Sequence, residues 1–156
     1  MKKILAFFGC VLIAFTSSAQ VGAPSVKELM DSYENFREPA IDSRRFTISQ
    51  LLPVFKSYES SSHLHFKQLG SSIEGRPIYL ATFGQGPVPV LFWSQMHGDE
   101  STATMALMDF FRWLNASDGA HTAFRDQLAK YFTLYFIPML NPDGVEKFQR
   151  RNAAHI

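Results

Sequence analysis

Cysteine is almost missing from this sequence of 156 residues, which contains a single one, Cys10, near its amino terminus. Because we interpret the segment around Cys10 as a leader that is removed, the mature chain is expected to form no intramolecular disulfide and no cysteine-ligated metal site. Any bound metal must then be held by His, Asp or Glu side chains. The chain also has no excess of charge, with 15 basic and 14 acidic residues. The excess of basic residues that is typical of a nucleic-acid-binding protein is therefore absent, and we expect no nucleic-acid partner.

Long hydrophobic runs are also scarce, and the longest stands at the amino terminus. Lys2 and Lys3 precede an apolar run from Ile4 to Phe15, and Ser17-Ser18-Ala19 follows it. This order is typical of a secretory signal peptide, so residues 1–19 are predicted to be a leader that is cleaved after Ala19. No later run approaches the roughly 18 apolar residues of a membrane span. We expect a secreted or periplasmic product without stable membrane insertion, the alternatives being an uncleaved anchor or a lipid on Cys10.

The chain after the leader divides into a helical segment, residues 20–60, and a segment of mixed character, residues 61–156. Ser25 and Glu28 form a capping-box pattern that predicts a helix extending to about Phe36. A second apolar repeat predicts another helix, which must begin close to Ser49 or kink because Pro53 lies within it. Both helices have the pattern of ordinary packing elements.

The second segment alternates strand and helix patterns. Short runs from His65 to Gly70 and from Ile78 to Phe83 flank a turn that contains Gly and Pro, which predicts a hairpin. An unbroken apolar run from Val90 to Trp93 predicts a doubly buried strand in the middle of a sheet. A strong amphipathic helix is predicted from Thr102 to Leu114, and a short helix around Phe124 and Leu128. A second buried strand, from Phe132 to Leu140, ends in the turn sequence Asn141-Pro142-Asp143-Gly144.

A strand, a helical crossover and a second buried strand make a βαβ unit, whose two strands run parallel. The predicted fold class is therefore α/β. We expect a partial doubly wound mixed sheet, with an edge hairpin and parallel central strands, that is truncated at its carboxyl terminus. The far side of such a sheet would be left uncovered, which is unfavourable for parallel strands.

The chemistry is expected where the strand ending at Trp93 gives way to the helix beginning at Thr102. His97 and Glu100 lie three positions apart in this stretch, with Gly98 between them, and ligands of α/β proteins bind at such strand ends. An imidazole and a carboxylate on a tight turn suit Zn²⁺. The alternative interpretation of so short a pattern is a strand-end histidine followed by a helix cap.

Three sequence blocks resemble the zinc carboxypeptidase family, to which carboxypeptidase A belongs. They are, in order, Ser72-Ile73-Glu74-Gly75-Arg76-Pro77-Ile78, Gln95-Met96-His97-Gly98-Asp99-Glu100-Ser101-Thr102 and Pro138-Met139-Leu140-Asn141-Pro142-Asp143-Gly144-Val145. The order and spacing of the blocks also match the family, and the first metal motif falls on His97 and Glu100.

The resemblance implies that His97 and Glu100 are two of three protein ligands to one zinc ion, the third being a histidine beyond Ile156. It also implies a separate glutamate, further along than this chain extends, that takes the proton from the metal-bound water. Arg150 matches the position of an arginine that stabilises the oxyanion of the reaction, with the neighbouring Arg151 as the competing candidate. Asp99 occupies a position at which some members carry a substrate-contacting arginine, so the resemblance is weaker there.

The expected function is that of a secreted metallocarboxypeptidase that hydrolyses a carboxy-terminal peptide bond of peptides or of peptidoglycan stem peptides, with these residues alone forming an inactive fragment. Two alternatives remain open: a zinc-dependent deacylase of small N-acyl amino acids, and a non-catalytic relative that binds peptide or cell wall. Outside the metal motif, we expect Glu74 and Arg76 to shape the hairpin or to pair with each other. We expect Asn141 and Asp143 to make hydrogen bonds to the backbone of their own turn. The sequence leaves the oligomeric state open.

Overall fold

A computed structural model describes residues 22–117 and 119–152, so the predicted leader and the last four residues lie outside the described part of the chain. The described residues form five helices, four strands and two short 3-10 turns. The helices are α1 (Val26–Phe36), α2 (Ile48–Ser57), α3 (Thr102–Asn115), α4 (Thr122–Tyr131) and α5 (Pro142–Glu146); the strands are β1 (Leu64–Ser71), β2 (Pro77–Phe83), β3 (Val88–Trp93) and β4 (Phe132–Ile137).

Local sequence signals determine where the first two helices begin. Helix α1 starts with the predicted capping box, in which the Ser25 amide donates to the Glu28 carboxylate at 2.7 Å and the Glu28 amide donates to the Ser25 hydroxyl at 3.2 Å. Helix α2 contains Pro53 and begins at Ile48, one residue before the predicted position. Both helices are therefore confirmed.

The four strands form one mixed sheet in the order β1-β2-β4-β3. Strand β1 pairs antiparallel with β2 as the predicted hairpin, β2 pairs antiparallel with β4, and β3 lies parallel to β4. Helices α3 and α4 connect β3 to β4, so the βαβ unit and the α/β class are confirmed.

The predicted position of β3 in the middle of the sheet is wrong for the described residues. Strand β3 pairs there with β4 alone, and it forms one edge of the sheet. Leu91, Phe92 and Trp93 are each at least 40% exposed. The apolar run correctly indicated a strand, but hydrophobicity alone could not specify its neighbours.

The hydrophobic core lies between one face of the sheet and helices α2 and α3. Its centre is a cluster of rings in which Phe66 of β1 stacks on Phe55 and Tyr58 and meets Phe111 of α3 edge-on at 5.4 Å. Phe111 also contacts Phe136 of β4 edge-on at 5.2 Å. This packing fixes α3 against the sheet and so determines where the segment between β3 and α3 can lie.

Candidate active site

The candidate site lies at the sheet edge where the parallel strands β3 and β4 both end. Beyond the last strand residues, the segments that follow β3 and β4 remain joined. The Ser94 amide donates to the Ile137 carbonyl and the Leu140 amide donates to the Ser94 carbonyl, both at 3.0 Å. The Asn141 amide donates in turn to the Gln95 carbonyl at 3.0 Å. The segment with His97 is therefore held beside the segment that follows β4.

A tight turn, which we call the metal turn (residues 95–100), carries both predicted ligands. Gln95 adopts a φ of 47°, so the chain reverses sharply as it leaves β3. The Glu100 amide donates to the His97 carbonyl at 3.1 Å, and the Gln95 side-chain amide donates to the Gly98 carbonyl at 3.0 Å. His97 and Glu100 are thus placed at the two ends of one hydrogen-bonded turn.

Buried hydroxyl groups hold the metal turn to the sheet and to α3. The Thr104 side-chain oxygen lies 2.8 Å from the Gln95 side-chain oxygen, 2.7 Å from the Pro138 carbonyl and 2.9 Å from the Ser94 hydroxyl. Ser94 and Thr104 are both buried. Sequence reasoning did not identify Gln95 or Thr104 as functional, because the contact between them depends on how α3 packs.

Glycine allows the metal turn to approach α5 closely. A Cβ atom added to Gly98 would lie 2.0 Å from the carbonyl carbon of Gly144, which is far inside van der Waals contact. The two backbones therefore touch at a point where neither residue has a side chain. This contact ties the position of the metal turn to that of α5.

Arg150 and Glu100 form an ion pair beside this turn. The Arg150 guanidinium donates to Oε1 of Glu100 at 2.5 Å, and both side chains are more than half exposed. The hydrogen bond from Arg150 holds the pKa of the Glu100 carboxyl below its ordinary value, and the charges of Arg150 and His97 act in the same direction. The structure thus brings all three predicted site residues to one place.

Two surface clefts flank the metal turn, and His97 lines both of them. One, of about 730 Å³, is bounded by the β1–β2 turn, the metal turn, the segment after β4, and the stretch that carries Arg150 and Arg151. The other, of about 570 Å³, lies between His97, Glu100 and Arg44. Arg44 belongs to the loop between α1 and α2, so the segment of residues 20–60 also contributes to this region.

Asp143 makes contacts that differ from the sequence expectation. Asn141 does accept a hydrogen bond from the Gly144 amide at 3.0 Å, but the four-residue block predicted to be a turn forms the start of α5. Asp143 is buried and accepts hydrogen bonds from the β1–β2 turn, not from its own turn. The predicted local bond of Asp143 is wrong, because the hairpin turn packs against α5 and supplies nearer donors.

An ionic network surrounds Asp143. The Arg76 guanidinium donates to Asp143 at 2.7 Å and to Glu74 at 2.5 Å, which confirms the expected pairing of Glu74 with Arg76, and Lys147 donates to Glu74 at 2.5 Å. Burial on its own would raise the pKa of the Asp143 carboxyl, but hydrogen bonds from Ser72, Arg76 and the Glu74 amide outweigh it and lower that pKa.

The donor set at the metal turn fits part of a zinc site. Imidazole and carboxylate are both zinc ligands, and the ion pair with Arg150 uses only one of the two oxygens of Glu100. Within residues 22–117 and 119–152, however, no group of three His, Cys, Asp or Glu side chains is arranged to hold a metal ion. His97 and Glu100 could therefore supply two ligands of a three-ligand site.

Comparison with known proteins identifies the class to which this fold and turn belong. The family model described as zinc carboxypeptidase matches residues 55–155, and the chain belongs to that family. By family it is thus grouped with zinc-dependent hydrolases. The match covers β1 to α5 and the metal turn, and it excludes α1.

Individual relatives support the family assignment over part of their own lengths. The chain is 30% identical over 110 residues to mouse carboxypeptidase M and 30% identical over 106 residues to carboxypeptidase D of Drosophila melanogaster. The matches cover 64% and 62% of this chain, but only 24% and 7% of those proteins. The chain therefore spans a quarter or less of the length of these curated relatives.

Solved structures show the same fold. A crystal structure of a carboxypeptidase-like protein from Burkholderia mallei superposes with a TM-score of 0.64 at 24% identity, covering 72% of this chain and 30% of that one. Thrombin-activatable fibrinolysis inhibitor superposes with a TM-score of 0.58 at 13% identity, covering 83% and 36%. At these identities the likeness establishes the carboxypeptidase fold alone.

In the described part of the chain, none of the helices has the length and apolar character needed to cross a membrane.

Proposed function

We propose that this chain forms part of the catalytic domain of a secreted zinc metallocarboxypeptidase, which removes a carboxy-terminal residue from peptides or from peptidoglycan stem peptides. The observation that carries the proposal is the meeting of His97, Glu100 and Arg150 at the carboxyl edge of β3 and β4. The ion pair from Arg150 to Glu100 joins residues fifty positions apart, so local sequence cannot account for it. Family membership supports the zinc and hydrolase assignments.

His97 and Glu100 would hold the zinc ion, and other residues of the gene product would complete the ligand set. When bound, zinc in such a site polarises a carbonyl group and acidifies a water molecule. Because Glu100 would be engaged as a ligand, it would not serve as the general base, and a separate carboxylate would have that role. The described residues therefore serve in this proposal as a ligand pair and an electrostatic group.

Arg150 would supply fixed positive charge next to the ligand pair. A guanidinium carries a fixed positive charge in proteins, so Arg150 would stabilise the negative oxygen that forms when a peptide carbonyl is attacked. Arg151 lines the same 730 Å³ cleft as His97, and so does Asn152, which adds a side-chain donor for a peptide backbone. A peptide lying in this cleft would pass between Arg150 and the β1–β2 turn.

Zinc content and substrate choice test the proposal on the complete gene product. We expect about one zinc per chain in the wild type and a loss of bound zinc in His97→Ala and Glu100→Gln. His65→Ala, which replaces an exposed histidine of β1, should retain the metal. Retention of zinc by His97→Ala would overturn the ligand assignment.

The same preparations distinguish the two alternatives. A carboxypeptidase releases the last residue of a peptide with a free carboxy terminus, whereas a deacylase prefers a small N-acyl amino acid. A binding relative retains affinity for peptide but releases nothing. Mass spectrometry of the products, with the metal-free His97→Ala variant as the blank, identifies which of the three applies.

Export is a separate part of the proposal and is tested separately. The predicted leader, residues 1–19, should be absent from the mature protein, which then begins at Gln20. Intact-mass measurement of protein recovered outside the cytoplasm checks the cleavage. A mature protein that still begins at Met1 would contradict a cleaved leader.

A further inference from the structure

We propose that Asp143 is a positioning residue for the zinc site: it anchors α5 to the β1–β2 turn and thereby fixes the metal turn and the segment that carries Arg150. The inference rests on the proposed zinc site and extends it to a residue that would not contact metal or substrate. The Asp143 carboxylate is buried and takes no part in the proposed chemistry.

Three hydrogen bonds attach Asp143 to the β1–β2 turn. Oδ1 accepts from the Ser72 hydroxyl at 2.6 Å and from the Arg76 guanidinium at 2.7 Å, while Oδ2 accepts from the Glu74 amide at 3.2 Å. All three donors belong to one short turn nearly seventy positions away in the sequence. Since the Asp143 side chain is only 1% exposed, water does not compete for these bonds.

Internal hydrogen bonds close the β1–β2 turn. The Ser72 amide donates to the Arg76 carbonyl at 2.8 Å, and the Arg76 amide donates to the Ser72 hydroxyl at 3.0 Å. The Ser72 hydroxyl thus accepts from Arg76 and donates to Asp143. A rigid turn of this kind can define the position of the helix that it contacts.

Asp143 is linked to the metal turn through its neighbour Gly144. The next residue, Gly144, packs its carbonyl group against Gly98, where an added Cβ would lie 2.0 Å from the carbonyl carbon. Gly98 lies between the two proposed ligands, His97 and Glu100. Any shift of α5 away from the β1–β2 turn would therefore remove the surface against which the metal turn is packed.

Gly144 also contacts the segment that carries Arg150. The Gln149 amide donates to the Gly144 carbonyl at 2.9 Å, and a Cβ on Gly144 would lie 2.8 Å from the Arg151 carbonyl oxygen. The residues on both sides of Arg150 thus rest on the same glycine. One buried carboxylate consequently controls both the ligand turn and the arginine.

The test compares zinc affinity with fold stability in the complete gene product. Asp143→Asn keeps the side-chain shape but removes the charge that holds Arg76. The expected result is a zinc dissociation constant raised by about tenfold or more, as found when groups supporting a metal site are changed. The constant is measured by competition with a chelator, well below the unfolding temperature of each variant.

A matched control separates positioning from general loss of stability. Glu38 is another buried carboxylate, 5% exposed, which accepts a hydrogen bond from the Ala40 amide in its own loop. Glu38→Gln should lower the unfolding temperature without changing the zinc dissociation constant. If Asp143→Asn behaves in the same way, Asp143 is structural only and the inference is wrong.

Two further variants keep the inference testable if Asp143→Asn does not fold. Ser72→Ala removes one of the three donors, and Arg76→Lys retains the positive charge while losing the guanidinium; both should weaken zinc binding less than Asp143→Asn. Unchanged affinity in both overturns the inference. His97→Ala is the separate control for the site itself. If His97→Ala retains zinc, the proposed ligand assignment is wrong, whatever the result for Asp143→Asn.

Discussion

Arg150 donates to the carboxylate of Glu100 at 2.5 Å, although fifty positions separate the two residues. The contact is possible because β3 and β4 are parallel neighbours, so the segments that follow them leave the sheet at the same edge. The packing of Gly98 against Gly144 then brings these segments into contact. The pairing is thus a consequence of strand order and of two glycines.

Replacement of Arg150 should affect catalysis more than substrate binding. We expect Arg150→Gln to lower kcat by about 10²- to 10³-fold with little change in KM, because the lost charge would act mainly on the transition state. Steady-state kinetics on a peptide substrate check the split. Arg151→Gln is the matched control, and a larger loss of kcat in that variant would assign the oxyanion role to Arg151.

Addition of a methyl group at Gly98 should disrupt the metal turn. The new Cβ would meet the Gly144 backbone at 2.0 Å, so one of the two segments must move. We expect Gly98→Ala to lower the free energy of unfolding by about 1–3 kcal/mol and to weaken zinc binding. Denaturant titration and chelator competition measure the two effects.

The control for this substitution is Gly70→Ala. Gly70 has open space where a Cβ would project, and its stability should change by no more than about 0.5 kcal/mol. Equal effects at Gly70 and Gly98 would show that the close approach to Gly144 has no special importance.

Removal of the buried Thr104 hydroxyl should loosen the connection between α3 and the metal turn. Thr104→Val preserves the side-chain shape but leaves the Gln95 side-chain oxygen and the Pro138 carbonyl without this neighbour. We expect a loss of about 1–3 kcal/mol in the free energy of unfolding, measured by denaturant titration. Thr102→Val, at an exposed position of the same helix, should have almost no effect.

Acid should destabilise the fold through Asp143. The folded-state pKa of this carboxyl is lower than its ordinary value of 3.8, so the ionised form stabilises the native state near neutral pH. That contribution is lost as the pH falls below 3.8 through the lower folded-state pKa. Glu74 acts in the same direction, because hydrogen bonds from Lys147 and Arg76 lower its pKa.

Thermal unfolding followed between about pH 6 and about pH 2 measures this effect. Asp143→Asn should be less stable than the wild type at pH 6 and should lose less stability on acidification. Asp42→Asn, a change at an exposed carboxylate, should retain the wild-type pH dependence. A wild-type slope in Asp143→Asn would show that Asp143 does not contribute to acid sensitivity.

Much of the fold could be predicted because its signals are local. The capping box at Ser25, the apolar repeat of α3 and the Gly-Pro turn between β1 and β2 each act over a few residues, and the structure confirms all three. The position of β3 could not be predicted in this way. An apolar run reports that a strand forms, whereas the number of its neighbours depends on the packing of distant segments.

The candidate site divides along the same line. His97 and Glu100 could be selected from sequence because their spacing resembles a family motif. Arg150 could be aligned with the family, with the neighbouring Arg151 as the competing candidate. Their roles as ligands and as oxyanion partner remain predictions. The contact between Arg150 and Glu100, the hydrogen bond from Gln95 to Gly98 and the position of Arg44 required the structure.

The α/β class, the hairpin, the helices and the turn on which the proposed ligands lie can all be inferred from local sequence. Each depends on hydrophobic periodicity, capping and turn residues close together in the chain. The hydrogen bonds to Asp143 from Ser72, Arg76 and the Glu74 amide depend on long-range packing, and so do the contacts of Gly144 with the metal turn and with the segment around Arg150. A buried charge takes its hydrogen-bond partners from the groups that lie near it in the folded chain, and residues some seventy positions apart become neighbours only when the sheet and its helices have packed.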